Sequence, residues 1–108
     1  MITNHLFDLS GKTAIVTGGG NGIGKASCEI LAAHGANVVV SDLKLEDAEA
    51  AADQINKDGG KAVAVSCNVT KDEDLVNVVK TAVDKFGGVE ILVNNAGGGG
   101  GGRENPFK

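Results

Sequence analysis

"TGGGNGIG", Thr17–Gly24, places five glycines in eight residues near the start of a 108-residue chain. Three readings compete for so much bare backbone: a phosphate cradle, a hinge or linker, and a tight turn between two elements. The flanks narrow the choice. Upstream, "KTAIVTG" (Lys12–Gly18) is a short apolar, β-branched run halted by glycine, the pattern of a buried strand. Downstream, Ile23, Ala26, Ile30 and Leu31 recur at helical spacing from Gly22 until "HGA", where Gly35 suits the position just past a helix end. The glycines therefore join a strand to a helix N-terminus, where bare N–H groups and the helix dipole favour an anion.

The same alternation continues along the chain. "NVVVSD" (Asn37–Asp42) is a second continuous apolar strand. Ala48, Ala51, Ala52 and Ile55 mark one face of a second helix over Leu43–Asn56, closed by Gly59-Gly60. "KAVAVS" (Lys61–Ser66) is a third strand. Thr70 with Glu73 forms a capping-box pattern, opening a third helix whose Leu75, Val78, Val79, Ala82, Val83 and Phe86 share a face before Gly87-Gly88. "VEILVNN" (Val89–Asn95) is a fourth strand. The order β-α-β-α-β-α-β, with near-continuous apolar strands, predicts an α/β fold with a parallel sheet covered on its faces. Right-handed crossovers leave few winding orders open.

Composition bounds the function. The chain is 42% hydrophobic and 22% charged, as a globular domain or part of one would be. A net charge of −4 leaves no basic stripe to neutralise nucleic-acid phosphates. "MITNHLFDLSGK" lacks the cationic and apolar segments of a secretory signal, and no run reaches the ~20 apolar residues of a membrane span, so a cytoplasmic location is expected. Cys28 and Cys67 lie far apart without a CxxC spacing and read as buried free thiols. His5 and His34 make no metal constellation with them.

Asp42 decides between the three readings of the glycines. A Walker loop would need Gly-Lys-Ser/Thr at the helix start, whereas this stretch ends Gly24-Lys25-Ala26 and lacks the hydroxyl for magnesium. Asp42 closes the second strand 18 residues after Gly24, close to the ~20 expected for a ribose-binding carboxylate in a dinucleotide-binding βαβ unit. A linker or a bare turn explains the glycines but leaves Asp42 without a role. A helix N-cap at Asp42 is the competing structural role, and the two can coexist. The carboxylate accepts hydrogen bonds from ribose hydroxyls and repels a 2′-phosphate. With Leu43 following and Lys44 the nearest cation, the expected cofactor is NAD(H) rather than NADP(H).

The spacing Thr-Gly-x-x-x-Gly-x-Gly at Gly18, Gly22 and Gly24, together with "NNAG" (Asn94–Gly97) closing the fourth strand, resembles the short-chain dehydrogenase/reductase family over residues 7 to 108. The resemblance implies a Rossmann-type sheet with helices on both faces, of which this chain supplies the first four strands in the order 3-2-1-4. It implies that Gly18, Asn21, Gly22, Ile23 and Gly24 wrap the pyrophosphate and adjacent ribose, and that Asp42 and Leu43 hold the adenosine end. Where the family usually shows Asp and an aliphatic residue against adenine, this chain has Asn68-Val69, whose amide carbonyl could accept from the adenine amino group. Asn95, Ala96 and Gly97 would lie along the nicotinamide side.

Within the family, "NNAGGGG" followed shortly by "PF", and "VVVSD", are most similar to bacterial 7α-hydroxysteroid dehydrogenases. That similarity implies oxidation of the 7α-hydroxyl of a bile acid to a ketone, with Gly99 a substrate contact in the run Gly97–Gly102 or, alternatively, part of a plain surface loop. The 3-oxoacyl reductases and sugar dehydrogenases share most of these motifs. The family's catalytic Ser and Tyr-x-x-x-Lys have no counterpart here, because the chain contains no tyrosine. Two expectations follow. Either residues 1–108 are the N-terminal part of an NAD-binding domain in a longer dehydrogenase, by resemblance a homotetramer, or they form a non-catalytic nucleotide-binding module. In the first case the chain alone is inactive and poorly stable, with Leu92 on an open edge.

Overall fold

The computed structural model describes residues 8–95, along which strands and helices alternate strictly. In chain order they are β1 (Thr13–Thr17), α1 (Gly22–Ala33), β2 (Asn37–Asp42), α2 (Leu45–Lys57), β3 (Lys61–Ser66), α3 (Asp72–Phe86) and β4 (Ile91–Asn94). The strands form one parallel sheet in the order β3-β2-β1-β4. In register, Ile15 lies beside Val39 on one side and Leu92 on the other, and Thr17 beside Ser41 and Asn94. The expected Rossmann-type α/β fold and its 3-2-1-4 winding are therefore present.

Period-2 alternation splits the core in two. On one face, Val16, Val38 and Val40 pack with Cys28 of α1 and with Ala48, Ala51, Ala52 and Ile55 of α2. On the other, Ile15, Val39 and Val65 pack with Val78 and Ala82 of α3. Alanines dominate the buried face of α2 because small side chains let that helix approach the strands closely. The first two helices thus share one face and α3 has the other to itself.

Two helical faces are wider than the surface that covers them. Of the six apolar positions expected on one face of α3, Val78 and Ala82 are buried and Phe86 is half-buried, while Leu75, Val79 and Val83 are exposed. One helix covers β1, β2 and β3 but leaves β4 bare, and Leu92 is 65% exposed. On α1, Ile23 and Ile30 point outward at 77% and 59% exposure, and the buried contacts to the sheet are made by Gly24 and Cys28. Periodicity located these helices correctly, but it reports a stripe and not how much of the stripe is covered.

The capping box does not form. Helix α3 starts at Asp72 with Lys71 as an N-cap that makes no side-chain bond. Thr70 is held instead by the Asn68 side chain, whose Oδ1 accepts from the Thr70 N–H (3.0 Å) and hydroxyl (2.6 Å). Asparagine offers the backbone two residues on a tight Asx turn, and here that turn competes successfully with the cap. Among the described residues no helix is long and apolar enough to cross a membrane.

Candidate functional site

All three elements that matter converge at the C-terminal edge of the sheet: the β1–α1 loop, the end of β2 and the end of β4. The loop is wedged against its surroundings by lack of side chains. A methyl at Gly24 would fall on the Gly18 carbonyl oxygen and lie 2.8 Å from Asn95 Nδ2. One at Gly20 would lie 2.6 Å from Asp47 Cβ, and one at Gly19 3.0 Å from Cys28 Sγ. Gly22 differs, since its Cβ direction is open space and its φ of +53° belongs to the left-handed region that glycine adopts without strain. Buried glycines set the loop on the sheet, and an open one faces outward.

Helix α1 begins bare. Asn21 is its N-cap, yet makes no capping bond, and the first turn carries no acidic residue. The Asn21 amide donates instead to Asp47 Oδ2 at 3.1 Å, drawing the loop against α2. The first N–H groups of a helix have no acceptor within it, so an uncapped terminus at the mouth of a glycine loop is a fit for an anion such as a pyrophosphate. Ile23, in that first turn, is exposed beside it.

Asp42 ties this loop to α2. Its Oδ2 accepts the Gly20 N–H at 2.9 Å and its Oδ1 accepts the Lys44 N–H at 3.1 Å. The N-cap of α2 is Lys44, so Asp42 stands two residues outside the helix and makes an Asx-type bond into its start. A carboxylate has about four lone-pair sites, so each oxygen keeps one for a ligand hydroxyl. Leu43, next to it, is 66% exposed, and its carbonyl accepts from Ser66 Oγ at 3.5 Å.

At β4 the two asparagines divide their work. Asn95 donates its N–H to Thr17 Oγ1 at 2.9 Å and its amide to the Gly18 carbonyl at 3.3 Å. Thr17 in turn contacts Asn94 Oδ1 at 3.1 Å. The end of β4 is thereby fastened to the start of the glycine loop through buried Thr17. The sequence motifs point to Gly18 and Asn95 but not to Thr17, Gly19, Gly20 or Asp47. The signal for Thr17 was available, since a hydroxyl closing an otherwise apolar strand needs a partner when buried.

Of the residues expected at the site, Gly18, Asn21, Gly22, Ile23, Gly24, Asp42, Leu43 and Asn95 stand around this edge. Asn68 lies just past β3, half-buried, with its N–H held by Asp74 Oδ2 at 2.9 Å. Val69 instead packs partly against the α3-side core. Ala96, Gly97 and Gly99 lie outside the described residues. Cys28 and Cys67 are buried free thiols. Burial, helped by Glu29, pushes the Cys28 thiol up to about 12, and burial also raises Cys67. Neither is a nucleophile at neutral pH. Among the described residues no group of His, Cys, Asp and Glu could hold a metal ion.

Comparison with known proteins agrees with this geometry. The chain is 48% identical over 107 residues to the 7alpha-hydroxysteroid dehydrogenase of Escherichia coli K12, covering 99% of this chain and 41% of that protein. It is 43% identical over 89 residues to tropinone reductase-like 1 of Erythroxylum coca, covering 82% and 32%. A solved 7α-hydroxysteroid dehydrogenase complexed with NADH and 7-oxo glycochenodeoxycholic acid superposes with a TM-score of 0.86 at 45% identity, over 93% of this chain and 39% of that one. The chain thus spans about two fifths or less of these relatives' length. A family model described as short chain dehydrogenase matches residues 12–108. With the glycine loop, the β2 carboxylate and the β4 asparagines all at one sheet edge, the chain belongs to the short-chain dehydrogenase family.

Proposed function

We propose that these residues are the N-terminal, NAD-binding portion of an oxidoreductase that oxidises a secondary alcohol to a ketone, with the 7α-hydroxyl of a bile acid as substrate. The observation that carries the cofactor assignment is the Asp42 carboxylate bound to the Gly20 N–H of the glycine loop. That bond sets a negative charge beside the uncapped helix, one ribose away from where a pyrophosphate would rest. A 2′-phosphate would meet Asp42, with Asp47 close by, and there is no arginine among the described residues to offset them. The substrate assignment is supported by the extent of similarity to the hydroxysteroid enzyme, which runs through "NNAGGGG".

The roles of the chain's own residues follow. The N–H groups at the start of α1 bind the pyrophosphate, Asp42 orients the adenosine ribose, and exposed Leu43 gives the base an apolar surface. Asn95, fixed by Thr17 and Gly18, supports the nicotinamide end together with Ala96 and Gly97. A bound nicotinamide supplies the hydride acceptor. The tyrosine that the family resemblance implies as the acid–base group has no counterpart among these 108 residues, and no acid–base role is assigned to any of them. The test is turnover by the full-length protein with cholate, a 3-oxoacyl thioester and glucose. Cholate-dependent reduction of NAD is expected. Turnover of the thioester or glucose without cholate would overturn the steroid assignment.

A further inference from the structure

We infer that Asn68 reads the base of the dinucleotide as a hydrogen-bond donor, through its amide NH2, so that the protein does not demand the amino group of adenine. This rests on the dinucleotide reading above and deepens it. The placement comes from topology. With the pyrophosphate on α1 beside β1 and the ribose on Asp42 at the end of β2, a dinucleotide continues outward to the next strand in the order, β3. The ends of β2 and β3 are held together there: the Cys67 N–H donates to the Asp42 carbonyl at 2.9 Å, and Ser66 Oγ to that of Leu43 at 3.5 Å. Asn68 follows immediately.

The orientation of its amide is settled by chemistry. A backbone N–H can only donate, so the atom facing the Thr70 N–H at 3.0 Å must be the amide oxygen. The Thr70 hydroxyl, at 2.6 Å, takes that oxygen's second lone pair. The N–H of Asn68 itself is fixed by Asp74 at 2.9 Å, which holds the residue in this turn. Both acceptor sites of Oδ1 are spent, and Nδ2 makes no hydrogen bond among the described residues. The carbonyl expected to meet the adenine amino group faces Thr70, and two N–H donors take its place. Against an amino group they set donor against donor. Against a ring nitrogen, or the 6-oxygen of hypoxanthine, they make a bond.

The chain contains neither tryptophan nor tyrosine, so binding is followed by the fluorescence of the reduced nicotinamide itself. The protein is titrated with NADH and with reduced nicotinamide hypoxanthine dinucleotide. The two are expected to bind within about threefold of each other, because one donated bond is available to either base. Asn68→Asp presents acceptors in place of the NH2 and is expected to favour adenine at least about tenfold. A preference for adenine of about fivefold or more in the unaltered protein overturns the inference, as does an Asp variant with an unchanged ratio. Should that variant fail to fold, the ratio in the unaltered protein decides alone. Binding of neither dinucleotide would overturn the cofactor assignment itself, a result distinct from a wrong preference between two ligands that both bind.

Discussion

Replacing Gly24 with alanine tests how tightly the glycine loop is built. The added methyl has nowhere to go, since its nearest neighbour is the Gly18 carbonyl oxygen, which is backbone, followed by Asn95 Nδ2 at 2.8 Å. Relieving the overlap means shifting α1 away from β1, at a cost of ~1–3 kcal/mol for overpacking. The 3.3 Å bond from Asn95 to the Gly18 carbonyl is lost with it, a further ~1 kcal/mol. Alanine returns up to ~1 kcal/mol of helix propensity. The net expectation is a loss of ~1–3 kcal/mol, which at a urea dependence of ~2 kcal/mol/M moves the unfolding midpoint down by roughly 0.5–1.5 M. Gly22→Ala is the control. It meets no atom within 4 Å and carries only the left-handed backbone penalty, ~1 kcal/mol. Urea unfolding followed by far-ultraviolet circular dichroism, with NADH titrations of the same samples, measures both. A Gly24→Ala protein as stable as the unaltered one, with unchanged affinity, would refute the close approach of helix and loop.

Two further outcomes are expected. Both thiols should resist alkylation in the folded protein at pH 8 and react on denaturation; since Cys28 is raised from 9.0 to about 12, its protonated form favours folding, and the stability it contributes is whole below pH 9 and declines as the pH rises from 9 towards 12. Rapid native labelling of Cys28 would contradict its burial. The 108-residue chain should also bind a hydrophobic dye through the exposed apolar groups around Leu92, Val79 and Val83, and Leu92→Gln should weaken that binding without lowering stability; a chain that binds no dye would show that this face is covered.

Much of this site could be read from residue order, and the part that could not has a common cause. Gly18, Gly22, Gly24 and Asp42 were legible because each answers a constraint visible along the chain: a strand end, a helix start and a fixed distance between them. Strand order came from the family resemblance, since crossover rules alone leave several windings. What escaped were contacts across elements. The Asn21–Asp47 bond joins residues 26 apart, and the Thr17–Asn95 bond residues 78 apart. The failed capping box is the reverse case. Thr70-x-x-Glu73 satisfied a local rule, but Asn68, two residues earlier, engaged the same threonine first. Likewise Ile23 and Ile30 have helical spacing yet are exposed, because coverage is a property of the neighbours and not of the helix.

The central claim is that Asp42 and the glycine loop form one cofactor site that selects against a 2′-phosphate. Parallel titrations with NADH and NADPH test it most directly, in the unaltered protein and in Asp42→Ala. The unaltered protein is expected to bind NADH at least about tenfold more tightly, a difference of ~1.4 kcal/mol. Asp42→Ala removes the repelling charge and the acceptor of two backbone N–H groups, and should bring the two cofactors within about threefold. Equal affinities in the unaltered protein, or an undiminished preference in the variant, would contradict the account.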